Sequence, residues 1–155
     1  MGLIELLVSY YCLTGGSCVT HKIEVTPEAA AVAACESGDT VTLGSVDWDA
    51  VGYNGKWSTD GGAWQFNDYW VWNSDNRWAI IPVANNQLGI TSTYFLSQWP
   101  KAESAPPHVQ YEMFKFLWND GYGWENWSAS KPCWDKWLVI DKNNRAVWNT
   151  ANNLP

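Results

Sequence analysis

The sequence predicts an α+β fold, a helical domain with a small β region and extra strands at both ends. Three observations predict it: an alanine-rich helix with clear start and stop signals, a Gly-, Asp- and Trp-rich stretch suited to short strands, and an aromatic helical block that gives way to a closing hairpin. At 155 residues the chain fits one domain over 1–155, since single cores commonly occupy about 100 to 150 residues. No internal repeat, low-complexity segment or linker divides it.

Residues 1–25 read as an N-terminal hairpin extension that alternates weakly and turns at "TGGS", with Cys12 and Cys18 flanking the tip. The opening "MGLIELLVSYYCLTGG" lacks a basic n-region, Glu5 interrupts its apolar run and no small-x-small cleavage site follows, so it is expected to be structure and not a secretion signal. In "TPEAAAVAACESG" Thr26 is the N-cap, Pro27 the first helical residue and Glu28 a first-turn acid; the helix stops near Gly38, which leaves Glu36 at its C-terminus. Residues 39–66 predict short strands and turns. A second helix is expected over about 92–99, closed by Pro100. A third starts at Pro107, turns Val109, Met113, Phe116 and Leu117 inward, and stops at Gly121. "GWENWSASKPC" makes a short helical turn or a loop, and within 135–155 "KWLVIDKNNRAVW" forms two strands around a polar "DKNN" turn.

Composition narrows the function. Hydrophobic content of 46% and charged content of 16% exclude a disordered chain. The formal net charge of −7 comes without a basic stripe, which sets aside nucleic acid and anionic membrane surfaces as partners. The longest apolar stretches, around Leu6 to Cys12 and Ala29 to Cys35, are too short to cross roughly 30 Å of hydrocarbon. Four cysteines, at 12, 18, 35 and 133, suit two disulfides in an oxidising setting, with four buried thiols as the alternative. No C-x2-C or H-x3-H spacing is present, and His21 and His108 lie far apart, so no metal and no other cofactor is expected.

Taken in order, "CESG", "STDGGAWQFNDYWVW" and "GWENWSASKPC" resemble the lysozyme superfamily. The central block is similar to the S-T-D-x-G-x-x-Q-[IF]-N segment of chicken-type lysozymes, which tryptophans follow; "CESG", "GGAWQF" and the late "GW..W.....C" are similar to the transglycosylase-like domain of resuscitation-promoting factors. The resemblance covers about 26–134. It departs from both patterns in the 24 positions between residues 36 and 60, so the segment "DTVTLGSVDWDAVGYNG" is read as an insertion. The resemblance implies a glycosidase with Glu36 as general acid and Asp60 as second carboxylate, and a disulfide between Cys35 and Cys133. Cys12 and Cys18 are then left as a local staple. It also implies that Tyr122 and Trp124 form the far wall of the cleft.

The chemistry has its own rationale. Cutting a glycosidic bond near neutral pH needs an acid that is still protonated there, whereas an ordinary glutamate titrates near 4.3. The negative end of a helix dipole and surrounding tryptophans would both raise the Glu36 value. Asp60, amid Ser58, Thr59 and glycines, suits a polar, solvated second carboxylate, with a turn-bonding aspartate as the alternative and Asp47, Asp49 and Asp68 as lesser substitutes. Gly61 and Gly62 would let backbone approach a sugar. Ser58, Gln65 and Asn67 are candidate hydrogen-bonding groups, and Tyr69, Trp70 and Trp72 offer faces for pyranose rings. The 13 tryptophans cannot all face a ligand; Trp64 and Trp118 are assigned to the core.

The expected activity is therefore cleavage of the β-1,4 bond between N-acetylmuramic acid and N-acetylglucosamine in peptidoglycan, by hydrolysis or, with Glu36 acting alone, by lytic transglycosylation. The glycan strand is the expected partner. The acidic composition and lack of a secretion signal suggest a bacteriophage tail or virion component, or a lysis enzyme, extracellular or virion-associated and acting on the bacterial cell wall, with other virion or tail proteins as candidate partners. The competing expectation is a non-catalytic structural or sugar-binding component of a larger assembly.

Overall fold

A computed structural model describes residues 2–7, 11–12, 18–19, 22–38, 43–44, 46–55 and 58–151; for 7, 11, 12, 18, 19 and 22 the description is of backbone only. Helix and sheet are mixed, as α+β requires. The N-terminal strands β1 (Ile4–Leu7) and β4 (Lys22–Val25) pair antiparallel, and β2 (Tyr11–Cys12) pairs with β3 (Cys18–Val19) with Cys12 opposite Cys18. The expected "TGGS" tip, and the side chains of both cysteines, lie outside the described residues.

Helix α1 (Pro27–Glu36) begins as its sequence dictates, with the Thr26 hydroxyl accepting from the Ala29 N–H at 3.3 Å. Its residues 29–34 are completely buried, because alanine lets neighbours close on the helix from every side. Strands β5 (Val51–Asn54), β6 (Ser58–Gly61) and β7 (Phe66–Asn67) form a three-stranded antiparallel sheet in which Asp60 stands opposite Gly52 on one side and Asn67 on the other.

Helix α2 (Ile80–Pro82) runs on into a π turn at Val83–Leu88 that Gly89 closes at φ +66°; nothing in the sequence reading had anticipated helix here. Helix α3 (Ser92–Gln98), capped by Thr91, matches the expected span. Helix α4 (Pro107–Trp118) ends three residues before Gly121, because Asn119 and Asp120 are both left-handed. Its inward stripe also differs: Phe114 is buried, whereas Phe116 is half-buried against Trp78. A 3-10 stretch (Trp124–Ser130) leads into α5 (Lys131–Trp134), so "GWENWSASKPC" is helical. The tail hairpin pairs β8 (Leu138–Ile140) with β9 (Ala146–Trp148) around the expected turn, where Asp141 Oδ1 accepts from the N–H of Asn143 and Arg145.

One hydrophobic cluster reaches from Leu6 to Trp148. At its centre lies a fully buried polar side chain, Gln110. Its Oε1 accepts from the Ala63 N–H at 2.8 Å, and its Nε2 donates to the carbonyls of Trp48 at 3.0 Å and Ala105 at 2.9 Å. It thereby fastens the β6–β7 connection to α4. Gln110→Leu keeps the volume but strips partners from three backbone groups in a dry interior, where each orphan costs about 1–3 kcal/mol. The expected loss is about 3 kcal/mol or more, read as a lower urea midpoint at unchanged m-value.

Candidate active site

Glu36 is the last residue of α1, and three features fix where that end lies. Cys35 is joined to Cys133 of α5 across 98 positions, with a Cα–Cα distance of 5.8 Å. Ser37 donates to the Ala63 carbonyl at 2.8 Å and accepts from the Asp47 N–H at 3.2 Å. Three indole N–H groups then link consecutive layers: Trp64 donates to the Ala29 carbonyl, Trp127 to the Trp64 carbonyl and Trp134 to the Trp127 carbonyl, at 2.8–3.0 Å. Trp64 and Trp118 are core residues as expected.

The end of α1 opens on a cleft of about 330 Å³. Its polar lining is Glu36, Asn54, Asp60, Gln65, Asn67 and Asn126; its apolar walls include Phe66, Trp70, Val71, Leu117 and Trp127. Burial raises the Glu36 pKa above its ordinary value; the Ser130 hydroxyl opposes this and the nearby Asp60 charge adds to it. Asp60 accepts from Asn67 Nδ2 at 2.7 Å and Asn54 Nδ2 at 3.5 Å. Two carboxyl groups thus share one trough, one in an apolar setting and one held by amides.

Asp68 shows the opposite balance. Burial would raise it, but the Lys101 ammonium at 2.9 Å, with the Thr59 N–H at 3.0 Å and hydroxyl at 2.9 Å, holds it below the usual carboxylate range. It is a structural anchor for β6. Asp47 is exposed and accepts from the Asp49 N–H in a local turn. A larger cavity of about 390 Å³ carries Glu28, Lys115, Asp120 and Arg145 around Trp118. Its cations are already paired, Arg145 with Asp120 at 3.0 Å and Lys115 with Glu112 at 2.7 Å.

Several residues singled out from the sequence are placed differently. Trp72 is buried between Phe66 and Phe95 and donates to the Trp99 carbonyl, so it is core and not a sugar platform. Tyr122 lies under the Arg145 guanidinium and Trp124 packs edge-on against Trp134; neither lines the cleft, whose far wall is made by Leu117, Asn126, Trp127 and Ala129. Gly61 and Gly62 face protein and not ligand: a Cβ on Gly61 would meet the Glu103 carboxylate, and one on Gly62 the Gln110 amide. Ser58 is occupied with the Asn54 carbonyl at 2.8 Å. Gln65 reaches the cleft, but its amide nitrogen donates to the Gly62 and Ala50 carbonyls.

Asn67 uses both ends within the protein, donating to Asp60 and accepting from the N–H of Tyr69 and Trp70 at 3.1 and 3.0 Å. Trp70 is 63% exposed at the cleft rim, with Tyr69 edge-on to it at 4.9 Å. Sequence reading missed Asn54, Asn126, Trp127 and Ser130 as site residues; the last three lie within the quoted "GWENWSASKPC" block, but nothing in it says which side chains face the cleft. No group of three or more potential metal ligands occurs among the described residues, and no helix of the described residues is long and apolar enough to cross a membrane. Neither protein-family models, nor curated proteins, nor solved structures give a match to this chain.

The raised Glu36 value has a sign for stability. A carboxyl group that the fold keeps neutral contributes fully below its ordinary value of 4.5, and that contribution is lost as pH rises through the raised folded value. Glu36→Gln is therefore expected to unfold at a higher temperature than the parent at pH 7 and at the same temperature near pH 3, measured by circular dichroism.

Proposed function

We propose that this chain is a lysozyme-like glycosidase that cleaves the β-1,4 bond between N-acetylmuramic acid and N-acetylglucosamine in peptidoglycan. The observation that carries this reading is the desolvated Glu36 carboxyl opening into the same trough as Asp60. A carboxyl group whose neutral form is favoured is suited to give its proton to a leaving oxygen near neutral pH. Asp60 then stabilises the oxocarbenium-like charge or orients the incoming water. If the sugar's own hydroxyl replaces water, Glu36 takes the proton back and the product is an anhydro-sugar. The order of the three sequence blocks and the exposed Trp70 at the rim support the same substrate class.

The setting proposed is a phage tail or virion component, or a lysis enzyme, that meets the wall from outside the cytoplasm. The net charge of −7 supports tethering, since a free enzyme of that sign gains nothing from the anionic wall. A second reading, a scaffold without turnover, is favoured by the paired terminal ribbons β1–β4 and β8–β9, which offer strand edges for docking.

A zymogram on bacterial walls separates the two. The parent clears, and Glu36→Gln loses about 10²- to 10⁴-fold, the range expected for one positioned acid; equal clearing by both, or none by either between about pH 5 and 7, assigns the scaffold. Mass spectrometry of the released muropeptides reads reducing ends for hydrolysis and anhydromuramic ends for transglycosylation. The pH profile offers an independent check. Because the Asp60 charge raises Glu36, the residual activity of Asp60→Asn is expected to lose its alkaline limb at lower pH than the parent.

A further inference from the structure

Among the described tryptophans most are buried or half-buried, and two are not: Trp70 is 63% exposed and Trp78 is 48% exposed. An exposed indole forfeits roughly the burial of a large apolar face, so two of them on one loop call for an occupant. They are coupled. The Trp78 Nε1–H donates to the Trp70 carbonyl at 2.5 Å, while one side of the Trp78 ring rests on Phe116 at a centroid distance of 6.0 Å. Trp70 lines the cleft, and Trp78, bonded to the Trp70 backbone, stands outside that lining.

The loop that carries them is held in place before any ligand arrives. Asn67 accepts from the N–H of Tyr69 and Trp70. Asn73 donates to the Tyr69 carbonyl at 2.9 Å and accepts from the N–H of Asp75 and Asn76. Arg77 ties the loop to the Ser74 carbonyl at 2.8 Å and to the Thr93 hydroxyl at 3.2 Å. Rings fixed in this way lose little freedom on binding. They are interspersed with amides and hydroxyls, the mixture that meets C–H faces and hydroxyl groups of a sugar in turn.

We propose that Trp78 is a sugar-stacking residue which, next to Trp70, extends the cleft into a further binding position for a pyranose ring of the glycan strand. This rests on the glycosidase reading for the identity of the ligand. The consequence is chain-length preference: a strand long enough to reach from Glu36 past Trp70 gains a contact that a short oligosaccharide does not.

The test uses the full chain carrying Glu36→Gln, which prevents turnover, with chitotriose and chitohexaose as probes followed by calorimetry. The hexamer is expected to bind more tightly than the trimer. Trp78→Ala is expected to weaken the hexamer about tenfold and leave the trimer unchanged, while Trp78→Phe, which keeps a ring on Phe116, retains most of the hexamer affinity; circular dichroism confirms folding of each. Unchanged hexamer affinity in Trp78→Ala, with Trp70→Ala weakened, overturns the extension and leaves the cleft reading standing. No binding of either oligosaccharide by the Glu36→Gln chain overturns both. Concentration-dependent dimerisation that Trp78→Ala abolishes without altering hexamer affinity also overturns it, by assigning the exposed rings to a second copy of the chain.

Discussion

The structure depends on the bare backbone of α1. Alanine at 29, 30, 31, 33 and 34 leaves no side chain long enough to keep neighbours away, so the whole helix is enclosed. Trp64 exploits this most directly. It is fully buried, its Nε1–H reaches the Ala29 carbonyl, and the rings of Trp48, Phe66, Tyr111 and Phe114 surround it at 5.0–6.3 Å. A longer side chain at any of these fully buried alanine positions would have to displace packed neighbours, and overpacking costs about 1–3 kcal/mol. From Trp64 the indole-to-carbonyl chain continues through Trp127 to Trp134. Those links set Ser130 and the cleft wall at a defined place relative to Glu36.

Enclosing the helix has a cost at its end. A carboxylate there is desolvated, and each unit by which its pKa rises is about 1.4 kcal/mol against the ionised fold. Asp68 escapes this through Lys101 and Thr59, whereas the groups that act on Glu36 are one hydroxyl and one like charge. The Cys35–Cys133 bridge offsets the cost. Closing a loop of 98 positions stabilises by about 4–5 kcal/mol on the chain-entropy model. The bridge also sits next to the strained group, so it resists the local fraying by which a helix end would otherwise carry its carboxyl group into water.

What the sequence made legible was what short-range chemistry dictates. Thr26, Pro27 and the alanine run specify α1 and deliver Glu36 to its terminus; Pro100 closes α3; the "DKNN" turn specifies β8–β9. Long-range packing was not legible. Phe114 and Phe116 both fit a helical stripe within their neighbours' tolerance, and only the position of Trp64 and Trp127 decides that Phe114 goes inward. The π turn at 83–88 has no cap signal at its start, since its preceding residues are already helical. Gly61 and Gly62 looked like room for a ligand because the sequence cannot say that Glu103 and Gln110 fill that room. For the site, the identities of Glu36, Asp60 and Trp70 could be read from motif order, but Asn54 comes from β5 and Asn126 and Ser130 from the 3-10 stretch far along the chain, and their convergence is a property of the fold alone.

Asn67 shows how tightly the two halves of the cleft are tied. Its amide nitrogen positions the Asp60 carboxylate, and its amide oxygen gathers the N–H groups of Tyr69 and Trp70 into one turn. Rotation of this one side chain would free the second carboxylate and unfasten the aromatic rim together. On the glycosidase reading proposed above, binding and bond cleavage share this hinge, because Trp70 and Asp60 are joined through the one Asn67 amide. An aspartate at 67 would keep the acceptor for the turn but replace the donor to Asp60 with a second negative charge at hydrogen-bond distance, which separates the two roles. Asparagine is the residue that serves both, because its two ends carry opposite hydrogen-bonding character.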